Sequence, residues 1–403
     1  MSGAGIKKVV YFVTGPFSRR DHARFGIGIL EKNGFDVEVW DFAPFLYPRA
    51  RENAQEQDTA DYARLRVFNI EQEALNAIAS LSAGDCFVVC FVPYGLNTFY
   101  IFRRLSSRRV KYAVFMANAL PLSACSSYKL SDIIRNISLK EAADKLRRFT
   151  PARIMESVFF KTGLGVLGIE PAYFRLAGGS RSAVTAKFPV NSRTRTLWMH
   201  TLDYDLYLDE LRNPPSVDDR QAVFLDEYIP FHPGYDYLGV KPFITDAGEY
   251  YGLLCAFFKN LEDSYNLHIV VAAHPRAHYE RHRDFFQGRP VLKGRTPGLI
   301  RNSSFVIGHV STSVNYAVLF KKPVIFVTTD ELDKSVEGVW IHNIASFFGK
   351  RVYNLNKVRG IDLAEELTVD RALYDTYKDS YIKRAGSQDL PFWQIVAQGL
   401  KEI

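Results

Sequence analysis

Two clusters of polar residues, each directly after a short apolar run, contain the residue types that bind an anion. One follows residues 269–273 and the other follows residues 305–308. Imidazole and guanidinium groups form strong hydrogen bonds to phosphate, and so do hydroxyl and N–H groups at the start of a helix. The clusters together therefore predict a phosphate site. Its predicted residues are His274, Pro275, Arg276, Ser311, Thr312 and Ser313.

Each cluster also has a purely structural interpretation. Ser311 or Ser313 could only cap the helix expected at residues 314–320, and His274 could be a hydrogen-bonded core histidine. Because the two clusters are expected on adjacent strand ends, their combination favours a binding site over two separate structural roles.

An acidic pair at the end of another apolar run is the best candidate for catalytic chemistry. Asp226 and Glu227 follow residues 222–225, at the expected carboxyl end of a strand. Consecutive strand residues point to opposite faces of a sheet. We therefore predict that Asp226 is the catalytic carboxylate, and His274 is also predicted to be catalytic. Glu227 would be structural, and it becomes a catalytic candidate only if Asp226 proves dispensable. The alternative is that Asp226 only caps a turn before Pro230.

Asp203 and Asp205 form an Asp-x-Asp sequence, which on a strand would point both carboxylates to one side and suit a divalent cation. The pair precedes the half of the chain that carries the predicted phosphate site. We therefore predict no metal site for it.

The elements that must position these residues are short buried strands separated by helices. In the second half of the chain, residues 269–273, 305–308 and 323–327 are apolar runs separated by helix-length segments. This pattern predicts an open parallel α/β sheet, which binds ligands at the carboxyl ends of its strands. A second such sheet is predicted from residues 7–14, 36–40, 86–92, 112–116, 166–172 and 196–200.

A chain of 403 residues is long for one hydrophobic core and suits two domains. Residues 211–220 contain two prolines and four charged side chains, which is typical of a linker. We predict an N-terminal α/β domain at 1–210, a linker at 211–221, a second α/β domain at 222–380 that carries the phosphate site, and a C-terminal helix within 381–403.

The excess of 51 Lys and Arg over 44 Asp and Glu, a net charge of +7, suits an anionic partner. The basic residues lack the aromatic interleaving of an RNA-recognition module, so no nucleic acid is predicted. The four cysteines lack metal-site spacing and favour a reducing cytoplasm. No apolar run approaches the ~20 residues of a membrane span, so we predict a cytoplasmic protein.

The basic, largely helical stretch at residues 130–160 has two interpretations. The favoured one packs its apolar side against the domain and leaves the charges in water. The other rests it on an acidic membrane surface, which would place the protein peripherally at the inner membrane.

The His274-Pro275 pair that closes one strand, and the cluster at 311–313 that opens a helix after a later strand, resemble a known enzyme group. They look like the nucleotide-binding half of bacterial GT-B glycosyltransferases that use CMP-activated sugars. These are the sialyltransferases and the Kdo (3-deoxy-manno-octulosonate) transferases of capsule and O-antigen assembly. The resemblance implies a GT-B fold, in which two doubly wound Rossmann-like domains face a cleft and the final helix packs back on the first domain.

The same resemblance implies that the second domain binds a CMP-sugar and the first a glycan or lipid-linked glycan as acceptor. Asp203 and Asp205 then have an acceptor-side or a structural role, and Arg19 and Arg20 are the other predicted acceptor-binding residues. Kdo, transferred to a cell-surface polysaccharide or lipopolysaccharide, is preferred on resemblance alone. Since CMP leaves as a monophosphate whose charge His274 and Arg276 can neutralise, neither a metal nor another cofactor is expected. Asn315 and Glu337 complete the predicted nucleotide-binding residues, with helix capping as the alternative for the loop at Glu337.

The course of the reaction and the function class stay open at this point. Resemblance to the Kdo transferases favours Asp226 as the nucleophile of a retaining reaction, whereas resemblance to sialyltransferases favours it as the base of an inverting one. A sugar-nucleotide epimerase or hydrolase of the same fold would convert the donor without an acceptor. A module that only senses an anionic ligand would bind CMP without turnover.

Overall fold

The computed structural model of the chain describes residues 5–15, 17–48, 60–121, 151–183, 187–235 and 240–403. Residues 122–150, which include most of the basic stretch predicted to be helical, lie outside the described residues. Among the helices of the described part, none combines the length and apolar character needed to cross a membrane.

Parallel strands alternate with helices along the described residues. The strands are β1 (Lys8–Val13), β2 (Asp36–Asp41), β3 (Leu65–Val67), β4 (Cys86–Cys90), β5 (Lys111–Phe115), β6 (Phe174–Ala177), β7 (Arg195–Trp198), β8 (Gln221–Leu225), β9 (His268–Ala273), β10 (Val291–Lys293), β11 (Phe305–Gly308), β12 (Val324–Thr328) and β13 (Val352–Asn354). The helices are α1 (Arg19–Arg24), α2 (Ile27–Lys32), α3 (Ala43–Leu46), α4 (Glu71–Ala79), α5 (Phe99–Ser107), α6 (Pro151–Lys161), α7 (Leu202–Glu210), α8 (Ala247–Tyr265), α9 (Thr296–Asn302), α10 (Val314–Leu319), α11 (Asp330–Asp333), α12 (Val336–Phe347), α13 (Leu363–Glu366), α14 (Arg371–Tyr377) and α15 (Phe392–Lys401).

The first compact unit comprises the described residues within Met1–Ala117, Ser126–Met199 and Gly386–Ile403. Its parallel sheet has the strand order β3-β2-β1-β4-β5-β6-β7. The central strand β4 is buried along its whole length, as expected for a parallel sheet covered on both faces. Helix α15 belongs to this unit, where the indole N–H of Trp393 donates to the Arg24 carbonyl at 2.7 Å.

The second compact unit comprises the described residues within Asn118–Cys125 and His200–Ala385. Its parallel sheet has the order β10-β9-β8-β11-β12-β13, and β9, β11 and β12 coincide with the three predicted apolar runs. Helix α8 begins where the Asp246 side chain accepts a hydrogen bond from the Glu249 N–H. It packs against the core through buried side chains at helical spacing, namely Tyr250, Leu254, Phe258 and Leu261.

The division between the units lies earlier than the prolines indicated. Residues from His200 onwards belong to the second unit, whereas the predicted boundary places residues 200–210 in the first. Helix α7 packs on α9 and α10 of the second unit, and residues 211–220 connect it to β8. The composition identified the connection, but it could not indicate which core the preceding helix joins.

Residues 166–172 were predicted to be a strand, and this prediction is wrong. The segment forms turns, and the next strand, β6, begins at Phe174. Gly168 has a φ of 69°, in the left-handed region that favours glycine. The Ile169 N–H donates to the Leu164 carbonyl at 2.9 Å, which closes a local turn instead of a strand pair.

Candidate functional site

The carboxyl edge of the second sheet brings together most of the predicted site residues. The strand order reverses between β8 and β11, and open α/β sheets bind ligands in the crevice at such a reversal. Asp226 and Glu227 follow β8, His274 follows β9 and His309 follows β11. These loops therefore define the candidate site, and the contacts that build it lie within the second unit.

The Asp226 carboxylate is buried and surrounded by donors. It accepts hydrogen bonds from the N–H groups of Tyr228 and His274, at 3.0 and 3.3 Å, and from the hydroxyl of Tyr279. Burial raises its pKa to about 6, although these hydrogen bonds oppose the rise. With only 4% of its surface exposed, Asp226 joins the loop after β8 to the loop after β9 and is poorly placed to reach a ligand.

Glu227, and not Asp226, bridges the strand-order reversal. Its carboxylate accepts a hydrogen bond from the Val310 N–H at 2.8 Å and another from the His309 N–H. Both carboxylates therefore accept main-chain hydrogen bonds, and Glu227 occupies the position at the reversal that strand alternation predicted for Asp226. The physical reason is that β8 ends at Leu225, and alternation does not extend into a loop where Tyr228 has a φ of 56°.

Glu337 is the second carboxyl group at this crevice. It lies in the first turn of α12, which is capped by Ser335, whose Oγ accepts hydrogen bonds from the N–H groups of Glu337 and Gly338. A side chain at Gly338 would place its β-carbon 2.5 Å from the Leu332 carbonyl oxygen, so the close approach requires glycine. The capping role considered for this loop therefore belongs to Ser335, and the Glu337 carboxyl group is left to other partners.

Burial makes both carboxyl groups hard to ionise. It raises the pKa of Glu337 to about 7. Burial first, and the nearby Glu337 second, raise the pKa of Glu227 to about 8. At neutral pH the crevice therefore holds at least one protonated carboxyl group, which can donate a hydrogen bond to a ligand.

Two histidine rings lie side by side at the same edge. The centroids of His232 and His274 are 4.8 Å apart, with an angle of 65° between the planes. Nδ1 of His274 accepts a hydrogen bond from the Arg276 N–H at 3.2 Å, and Nδ1 of His232 accepts one from the Gly234 N–H at 3.0 Å. Because Nδ1 accepts in both rings, the N–H of each ring is at Nε2. Burial, and secondly the charge of Arg276, lower the pKa of His232 to about 4.

Sequence reasoning missed His232 and Tyr235, which complete the site. The centroid of the Tyr235 ring is 6.1 Å from that of His232, and burial raises the pKa of Tyr235 to about 12, with smaller contributions from Glu337 and Glu227. Tyr235 thus lies between the histidine pair and the two glutamates. The signal for His232 was available, since the His-Pro dipeptide at 232–233 repeats the one at 274–275.

The cluster at residues 311–313 follows β11, but the N–H groups after it are already used. Those of residues 314–316 donate to the carbonyl groups of residues 311–313, so the expectation that they are free for an anion is wrong. The Ser311 Oγ accepts a hydrogen bond from the Ser313 N–H at 3.2 Å. Ser313 is the N-cap residue of α10, yet its side chain accepts no hydrogen bond from the helix. The hydroxyl groups are therefore what this cluster offers to a ligand.

Asn315 and Asp203 are hydrogen-bonded to each other inside the second unit. The buried Asn315 donates from Nδ2 to the Asp203 carboxylate at 3.1 Å and accepts a hydrogen bond from the Tyr377 hydroxyl at 3.1 Å. Asp203 also accepts a hydrogen bond from the Tyr316 hydroxyl at 3.4 Å. These contacts hold α7 and α14 against α10. They replace the nucleotide role of Asn315 and support the structural alternative for Asp203.

Asp203 and Asp205 lie on helix α7, where residues two apart point in different directions, so the argument from strand spacing fails. Asp205 lies 3.6 Å from Nε2 of the buried His200. Arg19 and Arg20 begin α1 in the first unit, whereas both aspartates belong to the second. Among the described residues, no group of three or more His, Cys, Asp or Glu side chains is arranged to hold a metal ion.

His309 is a structural histidine beneath the crevice. Its Nδ1–H donates to the Val327 carbonyl at 2.7 Å, and Nε2 accepts a hydrogen bond from the Tyr250 hydroxyl at 2.8 Å. Burial lowers its pKa to about 4, so the ring is neutral. These two bonds fix the loop whose N–H groups bind Glu227.

The sequence matches no protein-family model and no curated protein. Solved structures with a similar fold include the wall teichoic acid polymerase TagF, with a TM-score of 0.52 and 13% identity over 98% of this chain and 90% of that one. Two histidine variants of TagF give TM-scores of 0.51 and 0.50 at 12% identity, over 98% of this chain and 90% and 87% of theirs. At this level of identity the likeness concerns the fold alone. Together with the two parallel Rossmann-like sheets, it shows that the chain has the GT-B fold.

Proposed function

We propose that this chain is a glycosyltransferase that binds a nucleotide sugar at the carboxyl edge of its second sheet. The observation that carries the proposal is the convergence of His232, His274 and Arg276 beside Glu227 and Glu337 at the strand-order reversal. Two Nε2–H groups and a guanidinium provide the donors and the charge that a phosphate requires. The GT-B fold supports the proposal by analogy, because a fold by itself does not determine an activity.

The donor we propose is a CMP-activated acid sugar, with Kdo preferred on resemblance. An acid sugar carries its own carboxylate, which ionised glutamates would repel. The raised pKa values of Glu227 and Glu337, about 8 and 7, keep this repulsion small at neutral pH and allow a carboxyl group to donate to the sugar. A single leaving phosphate is within the capacity of the histidine pair and Arg276, so the proposal includes no metal.

The course of the reaction that we propose is inversion, with Glu227 as the base for the acceptor hydroxyl. A base is most effective when its pKa is near the working pH, which fits Glu227. Asp226, enclosed by three donors, is a poor nucleophile for a covalent adduct. His274 and His232 would donate to the leaving phosphate. The acceptor, a glycan or lipid-linked glycan, is assigned to the first unit, where Arg19 and Arg20 stay as predicted contacts.

A second candidate is a transferase that assembles a cell-wall polymer, which the likeness to the wall teichoic acid polymerase TagF favours. Such an enzyme would bind its donor at the same carboxyl edge of the second sheet and would use a different acceptor. An epimerase or hydrolase of this fold would consume the donor when no acceptor is present, so incubation with donor alone separates it from both transferases.

Thermal denaturation with candidate nucleotides tests the proposal. Under mass action, a ligand at 100 times its Kd stabilises the folded state by about 2.7 kcal/mol. We expect CMP to raise the melting temperature and NAD to leave it unchanged. Stabilisation by UDP or NAD, with no response to CMP, would contradict the donor assignment. Product analysis with CMP-Kdo, with and without acceptor glycans, then tests transfer itself.

A further inference from the structure

The first unit carries an exposed apolar surface that the proposed reaction does not use. Among the described residues, the three most exposed large apolar side chains are Val166, Met155 and Val158, with 84, 60 and 59% of their surface exposed. Single exposed apolar residues are ordinary, but three within one short segment indicate an interaction site.

The packing of α6 holds two of these side chains outwards. Phe159 and Phe160 lie on the inner side of the helix, where their ring centroids are 5.0 and 6.0 Å from that of Tyr94. Met155 and Val158 are three positions apart on the helix, so they share one face, and this face is exposed. Met155 and Val158 are therefore exposed because Phe159 and Phe160 turn the opposite side of the helix towards the core of the unit.

The third side chain is presented by a compact loop directly after α6. The Val166 N–H donates to the Gly163 carbonyl at 3.0 Å, and the Gly168 N–H donates to the Gly165 carbonyl at 3.1 Å. The Thr162 N–H donates to the Val158 carbonyl at 2.9 Å, which continues the helix into the loop. The loop thus has a defined local structure with a valine at its exposed turn.

Cationic side chains flank this apolar surface. Lys161 ends α6 and is exposed, and a β-carbon at Gly168 would lie 3.4 Å from Nε of Arg103, which places the exposed Arg103 against the loop. Lys187 approaches Glu156 of α6 at 3.1 Å. The surroundings therefore hold more positive than negative charge.

We propose that this surface, formed by Met155, Val158 and Val166 with Lys161 and Arg103, docks on an anionic phospholipid bilayer. Apolar side chains of this kind enter the boundary between headgroups and acyl chains, and neighbouring cations are attracted by the negative surface potential of anionic lipids. Three side chains are too few for a stable protein interface, which buries about 800 Å² per partner. The positive charge around the surface and its small apolar area both favour a lipid bilayer as the partner. The inference does not depend on the proposed reaction.

Co-sedimentation of the full chain with vesicles tests this proposal. We expect binding to phosphatidylcholine vesicles that contain about one third phosphatidylglycerol, weaker binding to phosphatidylcholine alone, and a loss of binding as salt rises and screens the charges. The double variant Val158→Asp and Val166→Asp should lower the partition coefficient by about tenfold or more. Val67→Asp and Val217→Asp, at positions with 50 and 56% exposure elsewhere, are the matched control and should bind like the unaltered chain.

Two results would overturn the proposal. The unaltered chain could ignore both vesicle types, or the double variant could bind as tightly as the control. If the chain ignores vesicles and forms a dimer that the double variant abolishes in analytical ultracentrifugation, the surface belongs to a second copy instead. Thermal denaturation with CMP should be the same for the double variant and the unaltered chain, so a failure here is distinguishable from a failure of the donor assignment.

Discussion

The two sheets of this protein fill the crevice at their strand-order reversal in different ways. In the second unit, Glu227 after β8 accepts a hydrogen bond from the Val310 N–H after β11, at 2.8 Å. In the first unit, Phe91 after β4 stacks on Phe25 at 4.7 Å, and its N–H donates to the Phe12 carbonyl of β1 at 2.9 Å. One crevice therefore holds an ionisable group, and the other holds packed aromatic rings.

The difference indicates where binding chemistry is expected. Apolar packing of a crevice stabilises a unit at little cost, whereas buried carboxyl groups cost free energy unless their hydrogen bonds are complete. The raised pKa values of Glu227 and Glu337 express that cost. Groups that oppose stability at the carboxyl edge of such a sheet are better explained by a ligand than by folding, which is why this edge is the candidate site.

Among the substitutions at the crevice of the second unit, Asp226→Ala is expected to change stability and activity the most. It leaves the N–H groups of Tyr228 and His274 and the Tyr279 hydroxyl without their acceptor, and each unsatisfied buried donor costs about 1–3 kcal/mol. We expect the free energy of unfolding to fall by about 3 kcal/mol or more, with loss of transfer activity. Urea denaturation followed by circular dichroism measures the first effect, and a transfer assay measures the second.

The matched control for Asp226→Ala is Phe91→Ala, which disturbs the crevice of the first unit. It should lower stability and leave the affinity for CMP unchanged, because the proposed donor site lies in the other unit.

Intact-protein mass spectrometry of the unaltered chain with donor alone should show no sugar adduct. An adduct that maps to Asp226 would restore the retaining mechanism and contradict the buried, structural role.

His274→Ala should affect activity far more than stability. Loss of one donor to a leaving phosphate typically lowers kcat by about 10²–10³-fold, while the ring is only half-buried, so its removal should cost little stability. Steady-state kinetics and urea denaturation measure the two effects. His268→Ala, at the opposite end of β9, is the control and should retain activity. Near-normal turnover of His274→Ala would return this histidine to a structural role.

The glutamate pair predicts a stability that falls as pH rises. The pKa of Glu337 in the folded chain is about 7, above its ordinary value of 4.5, so folding favours the protonated form. This stabilisation is complete below about pH 4.5 and is lost as pH rises through 7, and Glu227 acts in the same direction up to about pH 8. Between pH 5 and 8 the unaltered chain should lose about 2 kcal/mol more of its free energy of unfolding than Glu337→Gln does.

Urea denaturation at several pH values checks this dependence. Glu73→Gln, an exposed glutamate of α4 in the first unit, is the control and should follow the unaltered chain. If the free energy of unfolding changes with pH in the same way for Glu337→Gln and the unaltered chain, Glu337 is ionised in the folded protein between pH 5 and 8. The prediction would then be wrong, because Glu337 would add no pH dependence to the crevice of the second unit.

The two sheets were predictable because strands buried on both faces consist of short apolar runs. The three apolar runs predicted in the second half of the chain correspond to β9, β11 and β12. The position of the candidate site is the one that the rule of ligand binding at carboxyl strand ends predicts. Its side-chain directions were not predictable in the same way. Asp226 and Glu227 lie beyond the end of β8, where the alternation of side chains no longer applies. Asn315 donates a hydrogen bond to Asp203, which is more than a hundred residues away in the chain.

The smallest expected effect comes from Ser313→Ala, which separates capping from ligand binding. Ser313 occupies the N-cap of α10 without accepting a hydrogen bond from the helix, so its hydroxyl group should contribute less than about 0.5 kcal/mol to stability. A hydrogen bond to the ligand is worth about 1 kcal/mol, so CMP should bind about fivefold more weakly.

Ser335→Ala is the matched comparison for this test, because Ser335 caps α12 at the same edge through two N–H groups, of Glu337 and Gly338. Its loss should lower the free energy of unfolding by about 1 kcal/mol, as loss of a working N-cap does. Urea denaturation and calorimetric titration with CMP on both variants give the two quantities side by side. If Ser313→Ala destabilises the chain as much as Ser335→Ala and binds CMP normally, the cluster at 311–313 is only the start of a helix. The donor site would then rest on the histidine pair, Arg276 and the glutamates alone.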